Sequence, residues 1–288
     1  MGSDTTLFEA DLAGLDALEL VAQAELGRWR HIWSLTWPKL AAAAVALAVW
    51  QLVVASHWRP SYLLPGPGTV FRELGHQAAT GTFWRAISIT MRRALVGYSL
   101  AVVIGSAIGV AVATVKPLRV AIGSLITGLQ TMPSIAWFPL AILLFQLRES
   151  AILFVVVLGA APSVANGLLA GVDHVPPVLV RSGRVMGAKG LALYRHVVLP
   201  ASLPAFVSGL KQGWAFAWRS LMAGELLVIV AHRPSIGTRL QFARENTDAP
   251  AVVALMIVIL VIGIVVDGVF SRADSAMRHR RGLVDRAA

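Results

Sequence analysis

Four stretches of the chain run for the length of a membrane-spanning helix without a Lys, Arg, Asp or Glu: Leu40 to Trp58, Ala94 to Val115, Val120 to Leu147 and Ser150 to Val172. A hydrocarbon core about 30 Å thick needs roughly 20 helical residues, so each can cross it. Two further stretches keep a helix-length apolar frame but carry charge. Phe206 to Ala231 is interrupted by Lys211, Arg219 and Glu225, and Ala249 to Val266 stops at Asp267. No ten-residue unit alternates with period two, so a membrane β-barrel does not fit. The pattern predicts an all-α integral membrane protein with six transmembrane helices.

Composition removes the soluble alternative. Of 288 residues, 57% are hydrophobic and 14% charged, where soluble domains carry about 25% charged residues. The absence of cysteine excludes disulfides, thiolate metal sites and cysteine nucleophiles. A net charge of +10 would suggest nucleic acid in a soluble protein, but here the basic residues follow a topological rule. With the N-terminus inside, fourteen Lys and Arg fall in cytoplasmic segments and seven outside. Positive charge is retained on the cytoplasmic side, so both termini are expected there and no nucleic-acid partner is expected.

The segments follow from the spans. Residues 1–38 form a cytoplasmic tail with six acidic residues and no apolar leader region. In it Leu12, Leu15, Leu18 and Val21 recur at the spacing of an amphipathic helix. Residues 39–58 are the first span, 59–83 an extracytoplasmic segment, and 272–288 a basic cytoplasmic tail. Trp29, Trp33, Trp37, Trp58 and Trp84 fall at span ends, where indoles anchor in the headgroup region.

One cytoplasmic loop, Gly171 to Pro204, is long. Pro176 and Pro177 open a helix, Gly187 interrupts it, and Leu199-Pro200 closes a second short helix. A helix-glycine-helix element too polar to insert is suited to be gripped by a soluble partner.

This loop resembles that of the permease subunits of bacterial ATP-binding-cassette importers. Their motif is Glu-Ala-Ala, three residues, Gly, nine residues, Ile, one residue, Leu-Pro. The frame here is Arg181-Ser182-Gly183, Gly187, Val197 and Leu199-Pro200, with the same spacing. Arg181 stands where the family has its acidic residue, so that residue's role does not carry over. Further stretches are similar to the branch importing sulfonates, taurine, nitrate and bicarbonate: Leu64-Pro65-Gly66-Pro67, Thr90-Met91-Arg92-Arg93 with Gly97-Tyr98, and Pro133 with Pro139-Leu140. Ala223-Gly224-Glu225-Leu226 and Ile236-Gly237 with Thr247-Asp248 complete the set.

The resemblance implies the type I ABC importer permease fold, with residues 84–271 as the shared core and a cytoplasmic coupling helix between helices 4 and 5, around Arg181 to Leu193. Arg181, Arg184, Gly187, Ala188, Leu199 and Pro200 become candidates for coupling to the ATPase. The implied partners are a second copy of the permease, two ATP-binding subunits, an extracytoplasmic substrate-binding protein and membrane lipid. The chain has no Gly-x4-Gly-Lys-Ser/Thr loop. No cofactor is therefore expected in this chain; ATP and Mg are expected on the partner ATPase, and the chain is not itself an enzyme.

Charges in the hydrocarbon are costly, so Arg92, Arg93, Arg219 and Glu225 need a reason to be there. At 1.5 Å per residue, with span ends near Trp84 and Ala231, Arg93 lies about 14 Å deep, Glu225 about 9 Å and Arg219 about 18 Å. Arg93 and Glu225 are thus candidates for an intramembrane ion pair, or for guiding an anion. Arg219, beside Trp218, would offer forked donors to a passing anion. Gln130, Ser134 and Asn166 are candidates for lining the same path, although such groups also join helices. Gly105 and Gly109, one turn apart, suit close helix packing. The seven histidines show no metal-binding spacing.

The reading is a permease subunit of an ATP-driven importer in the bacterial inner membrane. Its expected cargo is a small oxyanion or organosulfur anion, sulfonate or taurine first and nitrate or bicarbonate next. An importer of another solute, such as a thiamine precursor or heteroaromatic vitamin, is the alternative. A secondary transporter would need inverted repeats, and none is visible.

Overall fold

The computed structural model describes residue 33 and residues 36–280. The amphipathic helix expected around Leu12 to Val21, Trp29 and the last eight residues of the basic tail lie outside the described residues. Among the described residues the regular structure is helical throughout. The chain divides into two units, Met1–Thr69 and Val70–Ala288.

In the first unit, α1 (Thr36–Ala55) is a 20-residue apolar helix. Trp50 on this helix donates its indole N–H to the Pro65 carbonyl at 3.1 Å, which ties the helix to the Leu64-Pro65-Gly66-Pro67 turn. Pro67 then opens α2 (Pro67–Ala78), at the first-turn position where its missing N–H costs nothing.

The second unit contains α3 (Gly81–Thr114), α4 (Lys116–Thr131), a 3-10 turn at Ser134–Trp137, α5 (Phe138–Phe145) and α6 (Glu149–Asp173). It continues with α7 (Pro177–Val185), α8 (Gly190–Leu193), a π-turn at Tyr194–Val198, α9 (Leu199–Leu227), α10 (Ile236–Glu245) and α11 (Ala249–Arg280). Among the described residues, five helical runs are long and apolar enough to cross a membrane: α1, α3, α6, the run Gly190–Leu227 and α11. The count becomes six if α4 and α5 together form one span.

Four expectations are corrected. The stretch Val120 to Leu147 is not one straight span: its two halves are bent by 103° at a short break. The cause is local, since Pro133 forces Met132 out of the helical region, to φ −74° and ψ 130°. The fifth span is shifted from Phe206–Ala231 to Leu199–Leu227 and ends where Val228 becomes extended. Leu199-Pro200 does not close a short helix, because α8, the π-turn and α9 run on as a single 38-residue helix. The wider turn just before Pro200 accommodates a residue without an N–H. Finally, no single helix covers Arg181 to Leu193: α7 stops at Val185 and α8 begins at Gly190.

The core forms where α6 meets α3 and α9. Ala94 and Ala101 of α3, Ile152, Val155, Val156 and Ala160 of α6, and Trp214 and Leu221 of α9 are buried in one cluster. Small residues bring the backbones together. A Cβ on Gly167 would lie 2.5 Å from the Gly209 Cα, and one on Gly105 would lie 2.5 Å from the Ala161 carbonyl oxygen. The Tyr98 hydroxyl adds a bond from α3 to the Leu210 carbonyl of α9 at 2.8 Å. Two charges that interrupt apolar stretches neutralise each other: Lys211 of α9 pairs with Asp267 of α11 at 3.2 Å.

Candidate functional site

Glu225, in the last turn of α9, is fully buried, and Arg93 of α3 is 4% exposed. Arg93 Nη1 donates to Glu225 Oε1 at 3.0 Å. The Thr90 hydroxyl lies 3.1 and 2.9 Å from the two carboxylate oxygens, and the Gly237 N–H donates to Oε2 at 3.1 Å. Thr90 in turn accepts from the Ile236 N–H at 3.0 Å. The carboxylate therefore sits against the N-terminus of α10, where the helix dipole favours negative charge. The rest of the Arg93 guanidinium turns to Glu149 at the start of α6, with Nε at 3.3 Å and Nη2 at 3.2 Å from Oε1. The same oxygen accepts from Arg233 at 3.2 Å.

Two cations and two carboxylates thus form a neutral network in which the buried Arg93 and Glu225 each have several bonded partners, the condition under which buried charge is tolerated. Three separate sequence motifs, Thr90 to Arg93, Ala223 to Leu226 and Ile236-Gly237, meet in it. Glu149 and Arg233 flank the apolar stretches and were not among the sequence candidates; the one signal was that each is a charge at a span boundary. Because α9 ends at Leu227, Glu225 is two residues from the helix end, or about 3 Å of rise instead of the expected 9 Å. Arg92 is exposed and lies outside the network.

The remaining intramembrane candidates share one region. Gln130 is in the last turn of α4, Ser134 opens the 3-10 turn, Asn166 is on α6 and Arg219 on α9. A cleft of about 240 Å³ is lined by Gln130, Ser134, Gly159, Phe216 and Arg219. A second, of about 540 Å³, is lined by Gln130, Asn166, Ser208, Gln212 and Arg278. Asn166 Nδ2 donates to Gln130 Oε1, and Gln130 Nε2 donates to the Ser163 hydroxyl at 3.0 Å. The Arg219 guanidinium lies 5.6 Å from the Phe216 ring centre. Trp218, expected beside it, faces α11 and borders a separate apolar groove with Met256 and Gly263, as the 100° step between successive helical residues requires. Among the described residues no carboxylate is paired with Arg219.

At the other end of α9, α7 presents Arg181 and Arg184 to solvent. Its C-terminus closes as a Schellman motif. Gly187, at φ +88°, takes the left-handed position; its N–H bonds to the Arg184 carbonyl and the Ala188 N–H to the Gly183 carbonyl, both at 3.0 Å. Gly183 fixes α7 on the following helix, since a Cβ there would meet Val197 Cγ2 at 2.8 Å. Leu199 and Pro200 sit half-buried at the start of α9. Val185 and Met186, 88% and 78% exposed, project from the end of α7; the sequence candidates omitted both because no charge or special backbone marks them.

A family model described as the binding-protein-dependent transport system inner membrane component matches residues 101–279. A relative in Escherichia coli, named for aliphatic sulfonates transport as a permease protein, is 29% identical over 221 residues, covering 77% of this chain and 83% of its own. A bicarbonate transport system permease protein of Synechococcus elongatus is 25% identical over 254 residues, covering 84% and 89%. The methionine ABC transporter in an inward-facing conformation superposes with a TM-score of 0.58 at 18% identity, over 67% of this chain and 94% of that one. At that identity the likeness concerns the fold.

Proposed function

The chain belongs to the family of binding-protein-dependent transport system inner membrane components, and from that premise we propose that it passes a small oxyanion or organosulfur anion through the membrane. An aliphatic sulfonate or taurine is the first cargo class, and nitrate or bicarbonate the next. The chain is the non-catalytic permease subunit; the energy comes from two ATP-binding subunits, and the cargo is delivered by an extracytoplasmic binding protein. In this reading both termini face the cytoplasm, and the other surfaces of the spans meet lipid.

The observation that carries the anion reading is Arg219. A guanidinium about 12 Å from the end of α9, facing a cleft and without a carboxylate partner among the described residues, offers charge and forked donors to a substrate. Ser208, Gln212 and Arg219 are exposed along one face of α9. Polar side chains on a span avoid lipid, so this face is assigned to a second copy of the permease across a shared path. The relatives named for sulfonates and bicarbonate handle anions of this kind.

In this account α7 is the coupling helix. Arg181 and Arg184 give it charge, Val185 and Met186 give it an apolar tip, and Gly187 and Ala188 close its end so that it moves as a rigid piece. Arg93 and Glu225 hold α10 against α3 and α9 and do not contact the cargo.

The test is ATPase activity of the complex assembled with its cognate ATP-binding subunits and binding protein, screened against taurine, alkanesulfonates, nitrate, bicarbonate and heteroaromatic vitamins. Stimulation by one of the anions is expected. Stimulation only by a neutral or cationic ring would overturn the anion reading.

A further inference from the structure

Three clefts in the second unit meet at two amide side chains. Gln130 borders both the cleft that holds Arg219 and the cleft that holds Arg278. Asn166 borders the Arg278 cleft and a third, of about 640 Å³, lined by Arg119, Thr127, Asp173 and His174. Between them Asn166 donates to Gln130, and Gln130 donates on to Ser163. Along α9 the first cleft is bordered by Phe216 and Arg219 and the second by Ser208 and Gln212, so they follow one another along the helix with about 6 Å of rise between Gln212 and Phe216. The second and third clefts lie toward α7. The amide bridge therefore stands between one compartment on the far side and two on the α7 side.

We infer that the Gln130–Asn166 bridge is the closed barrier of the translocation path, and that opening it frees amide N–H groups for an anion leaving Arg219. The inference rests on the permease reading above and adds the position and chemistry of its barrier. A neutral amide pair suits the role because it separates without leaving a charge unpaired. Side-chain hydrogen bonds between membrane helices are weak, so this one exchanges readily. Once released, each amide is both donor and acceptor, and its N–H groups can pair with an oxyanion. The cations on either side differ in kind. Arg119 is paired with Asp173 and Arg278 with Asp274, whereas Arg219 has no carboxylate partner among the described residues. An anion is thus held by charge on the far side and meets neutralised guanidiniums on the α7 side, which favours release.

The backbone shows which half moves. Asn166 and Ser163 are on α6, fixed to α9 by the contact of Gly167 with Gly209. Gln130 is on the last turn of α4, two residues before the break at Met132-Pro133 where the chain bends by 103°. Rotation of α4 about this break withdraws Gln130 from α6 while the α6–α9 core stays intact.

The native chain has no cysteine, so single cysteines report the barrier directly. In the assembled complex, in vesicles without ATP, Ser134→Cys and Ser208→Cys would be treated with a membrane-impermeant maleimide from the side bearing the ATP-binding subunits. Ser208→Cys is expected to react and Ser134→Cys to be protected. Adding Gln130→Ala, or independently Asn166→Ala, is expected to raise the Ser134→Cys rate at least tenfold from that side. Three results would each overturn the barrier: Ser134→Cys reacting as fast as Ser208→Cys with both amides intact, Ser134→Cys still protected after either amide is removed, or Ser208→Cys unreactive. Co-purification of each variant with the ATP-binding subunits certifies its fold. The labelling needs no cargo, so a failed anion screen leaves its outcome unaffected, and a failed barrier leaves the anion screen standing.

Discussion

Arg93 and Glu225 are 132 residues apart in sequence and 3.0 Å apart in space, and neither is satisfied by the other alone. Glu225 also accepts from Thr90 and the Gly237 N–H, and Arg93 also donates to Glu149. Exchanging the two charges would place a guanidinium against the Gly237 N–H and a carboxylate against Glu149. The exchanged double variant is therefore expected to remain as unstable as the singles. Glu225→Ala, which leaves Arg93 and Arg233 to share the single carboxylate of Glu149, is expected to cost about 3–5 kcal/mol. Thermal unfolding of the purified complex checks both, and a swap that regains wild-type stability would reduce the network to a simple pair.

Gly237 tests the same junction without touching charge. A Cβ there would lie 2.4 Å from the Glu225 Cβ, so Gly237→Ala is expected to cost about 1–3 kcal/mol by overpacking. Gly68→Ala, where a Cβ meets nothing within 4 Å, is the matched control and is expected to leave the melting temperature nearly unchanged.

The tip of α7 separates coupling from folding. Val185→Asp and Met186→Asp alter side chains that are almost wholly exposed, so insertion and melting temperature are expected to stay the same. Capture of the ATP-binding subunits is expected to fall at least tenfold. Gly187→Val places a β-branched residue at φ +88°, a strained position, and is expected to uncouple ATP hydrolysis from transport. Normal uptake by all three variants would remove α7 from the coupling role.

The spans were legible because lack of charge over twenty residues has few explanations other than lipid. The long loop was legible because Pro176, Pro177 and Gly187 constrain the backbone whatever surrounds them. The bend at Met132-Pro133 was not, although the proline was in view, since hydropathy continues unbroken across it and counts composition, not direction. Leu199-Pro200 misled for the opposite reason: the π-turn before it absorbs a proline that ordinarily ends a helix. The partners of Arg93 illustrate a deeper limit. Glu225 was found by matching depth, but Glu149 and Arg233 are separated by 84 residues, and nothing local announces that α6 and the segment before α10 meet. The small-residue contact of Gly167 and Gly209 was likewise invisible until both helices were placed.

The central claim is that an anion crosses beside Arg219 at the expense of ATP hydrolysed elsewhere. Its most direct test is ATP-driven uptake of a labelled alkanesulfonate, taurine, nitrate or bicarbonate into proteoliposomes holding the full complex, with wild-type chain and with Arg219→Gln. Uptake of one of these anions by the wild type, dependent on ATP and the binding protein and reduced at least tenfold by the substitution while the complex stays assembled, is the expected result. Uptake unchanged by Arg219→Gln, or accumulation only of an uncharged solute, would contradict it.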